Sequence, residues 1–128
     1  MAVLNNEAEG PAVIELIEEA VAAGDGVLLP FLVVMEVEYL LMRRHRPADA
    51  ERSLNLVLGW PAEVVESFEE WRREAARVKA AGDISVVDAW VAALGLLTGG
   101  EVLHKDPQFE AVVGLRQHNL QAEGRNAR

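Results

Sequence analysis

The 128-residue sequence contains no cysteine, which excludes both a disulfide framework and a thiolate metal site. It has no apolar run long enough to span a membrane, and no pattern typical of a signal peptide opens it. Its three histidines, His45, His104 and His118, are too scattered along the chain for a histidine metal site. We therefore expect a cytoplasmic protein without membrane association.

Basic residues are scarce, because 12 Lys and Arg stand against 21 Asp and Glu and give a formal net charge of −9. Such a chain gains nothing from non-specific attraction to phosphate, so passive binding of nucleic acid is not expected. The charge is compatible with a metal-dependent nuclease, in which carboxylates bind cations and the cations face the phosphate. A hydrophobic fraction of 51% and the absence of internal repeats or linkers predict one globular domain.

The most informative stretch, residues 84–109, reads I-S-V-V-D-A-W-V-A-A-L-G-L-L-T-G-G-E-V-L-H-K-D-P-Q-F. Its apolar run predicts a buried helix from residue 86 to residue 98, in which Asp88 is the only charge. Two glycines end this helix, a strand is predicted at residues 102–105, and Asp106 before Pro107 predicts the N-cap of another helix. A buried carboxylate is costly unless something stabilises its charge.

The geometry of this unit brings its two aspartates together. About 13 helical residues rise roughly 20 Å, and a strand of about five residues returns roughly 16 Å. Asp106 is therefore expected near Asp88, at the sheet edge where open α/β folds bind ligands. Each aspartate also has a structural explanation, since Ser85 and Asp88 fit a capping box and Asp106 fits an ordinary cap. A third acid at the same edge is needed to favour chemistry.

The remaining segments predict alternating helices and strands. The helix at residues 31–44 carries two acids, Glu36 and Glu38, and periodicity does not choose between them. Residues 1–6 are interpreted as the end of a helix, and residues 121–128 as a disordered tail. The other predicted elements are helices at 11–24, 47–59 and 68–78 and strands at 27–29, 63–66 and 115–120.

The chain resembles the PIN domain family, and within it the VapC-type toxin ribonucleases. The matching stretches are L-N-N-E, L-P-F-L-V-V-M-E-V-E-Y-L-L, I-S-V-V-D-A-W-V-A-A and E-V-L-H-K-D-P-Q-F, in the family's order. The resemblance implies a PIN-like α/β/α sandwich with a parallel central sheet over residues 1–120, and RNA cleavage with Mg²⁺ or Mn²⁺. It assigns metal binding and catalysis to Glu36, Asp88 and Asp106. It also implies an RNA substrate, a cognate antitoxin and a homodimer.

Departures from the family pattern bear on activity. The family begins with a strand that ends in a metal-binding aspartate, whereas this chain is expected to begin inside the following helix and to lack both. His104 stands where Thr or Ser is frequent, and Gln108 stands where a further acid is frequent. A misassigned start and a decayed gene would each produce such a sequence. We therefore expect little or no metal-dependent RNA cleavage by these 128 residues.

Two alternatives to the ribonuclease are an inactive relative and a receiver domain. A catalytically inactive PIN-like module would keep the fold and bind an antitoxin or a second copy of itself, and the expected loss of one acid favours it. A phospho-acceptor receiver domain has a similar length and fold class. It requires an acidic pair after its first strand, and this sequence has no such pair.

Overall fold

The computed structural model of the chain describes residues 1–5, 22, 24, 26–59 and 61–119. Within these residues, α-helices pack with a five-stranded parallel sheet, which confirms the predicted α/β fold. The strands are β1 (Ala2–Leu4), β2 (Val27–Pro30), β3 (Glu63–Val65), β4 (Glu101–His104) and β5 (Gln117–Asn119). The helices are α1 (Phe31–Arg44), α2 (Pro47–Leu58), α3 (Glu69–Ala81) and α4 (Val86–Thr98), and a 3-10 helix covers Pro107–Ala111.

Strand β1 is the central strand of the sheet, whose order is β3-β2-β1-β4-β5. Its Val3 is in register with Leu28 of β2 on one side and with Val102 of β4 on the other. The prediction that the chain begins in a helix and lacks the first strand is therefore wrong. A strand of three residues is too short to show a period of two, and a strand buried on both faces forms a continuous apolar run.

Most other elements lie where the sequence predicts them. Helix α1 spans the predicted residues, α2 begins at the predicted proline, and β2 and β4 are parallel in one sheet as expected. Strand β5 pairs in parallel with β4 at the sheet edge, within the predicted range. The helix predicted at 11–24 falls almost wholly outside the described residues, and the tail at 121–128 falls wholly outside them.

Helix α4 carries much of the core. Seven of its 13 residues are buried, and it contacts α3 and strands β1, β2 and β4. Trp71 of α3 is fully buried and donates its indole N–H to the carbonyl oxygen of Trp90 at 2.7 Å. The two indole rings meet edge to face, with centroids 5.0 Å apart. Trp71 is thus a core residue, and Trp90 is partly buried and packs against the core.

Gly95 allows α4 to approach the sheet closely. A Cβ atom at this position would lie 2.8 Å from Val102 Cγ2 in β4 and 2.8 Å from Leu115 Cδ1. Carbon atoms in favourable contact are separated by about 3.5–4.0 Å. The hydrogen at this position is therefore a packing requirement of the helix–sheet interface.

None of the described helices is by itself long and apolar enough to cross a membrane. Only α3 and α4 taken together reach that length and hydropathy, and their axes are bent by 119° where the two helices meet.

We predict that Gly95→Ala destabilises the fold, by about 1–3 kcal/mol, because the added methyl group overpacks the interface with β4. This loss exceeds the gain of about 1 kcal/mol that alanine offers in a helix interior. Urea unfolding measures the difference in free energy of unfolding. Gly82→Ala is the control, since a Cβ there meets nothing within 4 Å. A Gly95→Ala protein at least as stable as wild type would contradict the prediction.

Candidate functional site

Polar side chains lie where β1 and β4 end and α4 begins. Asn5 directly follows β1, Asp106 lies two residues beyond β4, and Asp88 occupies the first turn of α4. The carboxyl ends of parallel strands form one edge of a sheet, and open α/β folds bind their ligands at that edge. We call Asn5, Asp88 and Asp106 the polar edge.

Asp88 is held by a helix cap and by the side chain of Asn5. Its backbone N–H donates to Ser85 Oγ at 3.1 Å, which is the predicted N-cap contact, and its Oδ1 accepts from Asn5 Nδ2 at 3.3 Å. Asp88 is only 8% exposed. Burial raises the pKa of Asp88 above its usual 3.8, the Ser85 and Asn5 side chains oppose this by hydrogen bonding, and the charge of Asp106 raises the pKa further.

Asn5 joins the central strand to both β4 and α4. Its backbone N–H donates to the carbonyl oxygen of Leu103 at 3.3 Å, and its side chain donates to Asp88. The residue is 2% exposed, so its amide depends on such partners. Asn5 directly follows the first strand, which is the position where the resemblance implies an aspartate. The strand that was expected to be missing is therefore present, and an asparagine stands at its end.

The loop after β4 fixes Asp106 through both its backbone and its side chain. The backbone N–H of Asp106 donates to His104 Nδ1 at 3.1 Å. Asp106 Oδ1 accepts from the Gln108 backbone N–H at 2.9 Å, which confirms the predicted cap before Pro107. The helix that it caps is a short 3-10 helix. Asp106 thus has a fixed place close enough to Asp88 for their charges to interact.

His104, the last residue of β4, is fully buried, and its imidazole ring has a defined tautomer. Nδ1 accepts from Asp106, so the ring proton is on Nε2, which donates to Gln117 Oε1 at 2.8 Å. Gln117 in turn donates its side-chain N–H to the carbonyl oxygen of Phe109 at 2.9 Å. The centroids of the His104 and Phe109 rings are 4.5 Å apart. The pKa of His104 lies below its usual 6.5 because the ring is buried. The hydrogen bond to Gln117 and the nearby carboxylates oppose this shift only in part.

Glu36 and Glu38 lie in the second turn of α1, and both are half-buried. The N-terminal end of α1 follows the carboxyl end of β2, and α1 also contacts α4. Glu38 lines a cleft between α1 and α2. The assignment of Glu36 to the same site as Asp88 and Asp106 stays a prediction.

The described side chains do not fit a divalent ion as they stand. No group of three or more His, Asp or Glu side chains in residues 1–5, 26–59 and 61–119 is placed to hold a metal ion. In addition, Asn5 directs an N–H at Asp88 Oδ1, and an N–H cannot ligate a cation. The polar edge has the position expected of a metal centre but lacks its donor set.

Comparison with known proteins identifies the family. The sequence matches the PIN domain family over residues 1–115. The chain belongs to the PIN domain family. A search among curated protein sequences finds no significant match.

Solved structures share the fold of this PIN domain at low sequence identity. A chain of VapBC2 from Rickettsia felis, bound to promoter DNA, has a TM-score of 0.79 at 11% identity, covering 92% of this chain and 97% of its own. A chain of VapBC-1 from nontypeable Haemophilus influenzae has a TM-score of 0.72 at 16% identity, covering 92% of this chain and 96% of its own. VapC20 from Mycobacterium tuberculosis, a toxin that cleaves the sarcin–ricin loop, has a TM-score of 0.64 at 19% identity. The match covers 90% of this chain and 96% of VapC20.

Sequence reasoning missed two residues of this region, Asn5 and Gln117. The sequence pattern predicts the end of a helix at Asn5, and a neutral amide is not one of the acids to which the resemblance points. Its position after a short apolar run was the available signal. Gln117 has no local signal, because its contact with His104 spans 13 residues and exists only once β5 pairs with β4.

We predict that acid destabilises this PIN domain through His104. The pKa of His104 is lower in the folded chain than in the unfolded chain, so below about pH 6.5 the unfolded chain binds more protons. Stability therefore falls as the pH falls. Unfolding free energies at pH 7.5 and 5.5 measure this loss. Asp88, whose pKa is raised, makes stability rise as the pH falls, and it does so in wild type and in His104→Gln alike. The difference between these two proteins therefore isolates the contribution of the histidine. An NMR titration of His104 at or above pH 6.5 would contradict the prediction.

Proposed function

We propose that this PIN domain is the toxin-type member of a type II toxin–antitoxin pair, built on the scaffold of a Mg²⁺- or Mn²⁺-dependent endoribonuclease and located in the cytoplasm. The observation that carries the proposal is the polar edge of Asn5, Asp88 and Asp106 at the carboxyl end of a PIN-type sheet. The solved relatives support it, because they include VapBC complexes and a toxin that cleaves the sarcin–ricin loop.

The proposed substrate is RNA, and the proposed ligands and catalytic residues are Glu36, Asp88 and Asp106. Hard carboxylate oxygens are the donors that Mg²⁺ and Mn²⁺ prefer. In this chain Asn5 stands where a fourth carboxylate is implied, and its N–H faces Asp88. The loss of one member of a catalytic unit commonly removes most of the rate. We therefore expect this chain to cleave RNA weakly or not at all.

A second candidate function is that of a non-catalytic PIN module that only binds a protein partner. The hydrogen bond between Asn5 and Asp88 favours it, since that contact satisfies the buried carboxylate without an ion. Both candidates share the fold and the antitoxin partner. They differ in whether any RNA cleavage responds to a divalent metal.

The cleft between α1 and α2 is the surface we propose for the antitoxin. It has a volume of about 540 Å³, and Met42 beside it is 62% exposed. Met42, Ala50 and Leu54 give the cleft an apolar lining, which suits an apolar segment of a partner. Glu38 and Glu51 also line the cleft, so the complementary segment is an apolar one that carries basic residues.

We predict little or no cleavage of labelled RNA by the wild-type chain with Mg²⁺ or Mn²⁺. We predict that Asn5→Asp increases metal-dependent cleavage by at least ~100-fold, since it restores the implied carboxylate. Gel separation of the RNA fragments, with and without EDTA, measures both rates.

The control for this assay is the double variant Asn5→Asp/Asp88→Asn, which should lose the restored activity. Brisk metal-dependent cleavage by wild type that disappears in Asp106→Asn would contradict the expectation and show that an amide suffices beside the acids. Cleavage that persists in EDTA and in all these variants would point to a contaminating nuclease.

We predict that Met42→Asp weakens binding of the antitoxin by at least tenfold, because it places a charge beside the apolar cleft. Titration calorimetry with the co-expressed, purified antitoxin measures the dissociation constant. Leu56→Asp is the control, since Leu56 is 69% exposed on α2 and does not line the cleft. Equal losses in both variants would argue against the cleft. Light scattering of the unbound chain tests the expected homodimer.

A further inference from the structure

The contact between Asn5 and Asp88 joins two residues that are 83 positions apart in sequence and both buried. It links the end of the central strand to the first turn of α4, so it fixes the geometry of the polar edge. A buried carboxylate is stabilised by a cation, by hydrogen-bond donors, or by taking up a proton. Here an amide of the chain itself supplies a donor.

The orientation of the amide decides what the site can bind. Asn5 Nδ2 carries the hydrogens and lies 3.3 Å from Asp88 Oδ1. Turning the amide over would place its oxygen against the Asp88 oxygen, and two acceptors repel each other. The donor end of Asn5 therefore faces the carboxylate oxygen that a cation would otherwise approach.

We infer that Asn5 takes the place of a divalent cation at this edge, so that the chain folds and keeps its polar edge without Mg²⁺ or Mn²⁺. The inference concerns the site named in the proposed function and rests on its assignment there. It goes further in assigning a role to a residue that is neither an acid nor a ligand.

The substitution Asn5→Asp tests this role with almost no change of shape. It exchanges a donating N–H for a second carboxylate oxygen about 3.3 Å from Asp88 Oδ1. Two like charges at that separation in a buried place repel strongly unless a proton or a cation is bound. The variant should therefore be less stable than wild type without metal, and it should gain a stabilising response to a divalent ion.

The experiment measures the melting temperature of the full chain in EDTA and with increasing MnCl₂. Wild type should melt at the same temperature in both conditions. Asn5→Asp should melt lower than wild type in EDTA and rise with Mn²⁺ to a plateau, and adding Asp88→Asn should remove the rise. Asn119→Asp is the matched control, because Asn119 also donates to a carboxylate, Glu110 Oε1 at 3.2 Å, but at an exposed site.

Three outcomes would overturn the inference. The first is a saturable Mn²⁺-dependent rise in wild type that Asp88→Asn removes, which would make Asn5 part of a working metal site. The second is an Asn5→Asp protein without any Mn²⁺ response. The third is an equal response in Asn119→Asp, which would reflect general attraction of cations to an acidic chain.

A second measurement covers an Asn5→Asp protein that does not fold in EDTA. The electron paramagnetic resonance signal of free Mn²⁺ should be undiminished by wild type, and should be reduced by Asn5→Asp refolded with Mn²⁺. Loss of the free signal with wild type would overturn the inference. Neither readout uses RNA or a partner, so an Asn5→Asp chain that gains no RNA cleavage, or a wild-type chain that binds no antitoxin, would count against the proposed function alone.

Discussion

The structure depends on the hydrogen-bonded position of β1, a strand of only three residues between β2 and β4. Buried backbone N–H and C=O groups must find partners, and β1 supplies them to the strands on both sides. The strand also delivers Asn5 to the carboxyl edge, where its backbone continues the pairing with β4. The sheet and the polar edge are therefore set by the same few residues at the start of the chain.

The helices from residue 31 to residue 98 could be predicted because each is long enough to show its period and its ends. Pro47 begins α2, Ser85 caps α4, and Gly99 ends α4 with a φ of +70°. Strand β1 could not be predicted in the same way. Three apolar residues fit a buried strand and the last turn of a helix equally well, and only pairing with distant strands decides between them.

The relation between Asp88 and Asp106 could also be predicted, since the helix between them rises about as far as the strand returns. That argument uses only local geometry over 19 residues. The caps at Ser85 and Asp106 follow from the local sequence, but the contact of Asn5 with Asp88 does not, because these two residues are 83 positions apart. The network of His104 and Gln117 likewise depends on sheet pairing, and a composition that points to acids directs attention away from amides.

A carboxylate satisfied by an amide differs from one satisfied by an ion in what its stability depends on. A site that binds an ion is more stable when the concentration of the free ion is higher. The Asn5 amide is part of the chain and is always present. Because Asn5 directly follows the central strand, the inferred role of its amide makes the stability of this edge depend on the chain itself and not on a metal ion. That independence suits a protein that works by presenting a surface to a partner. For a metal-dependent nuclease the same amide is a disadvantage, since it opposes the ion at the place where catalysis requires it.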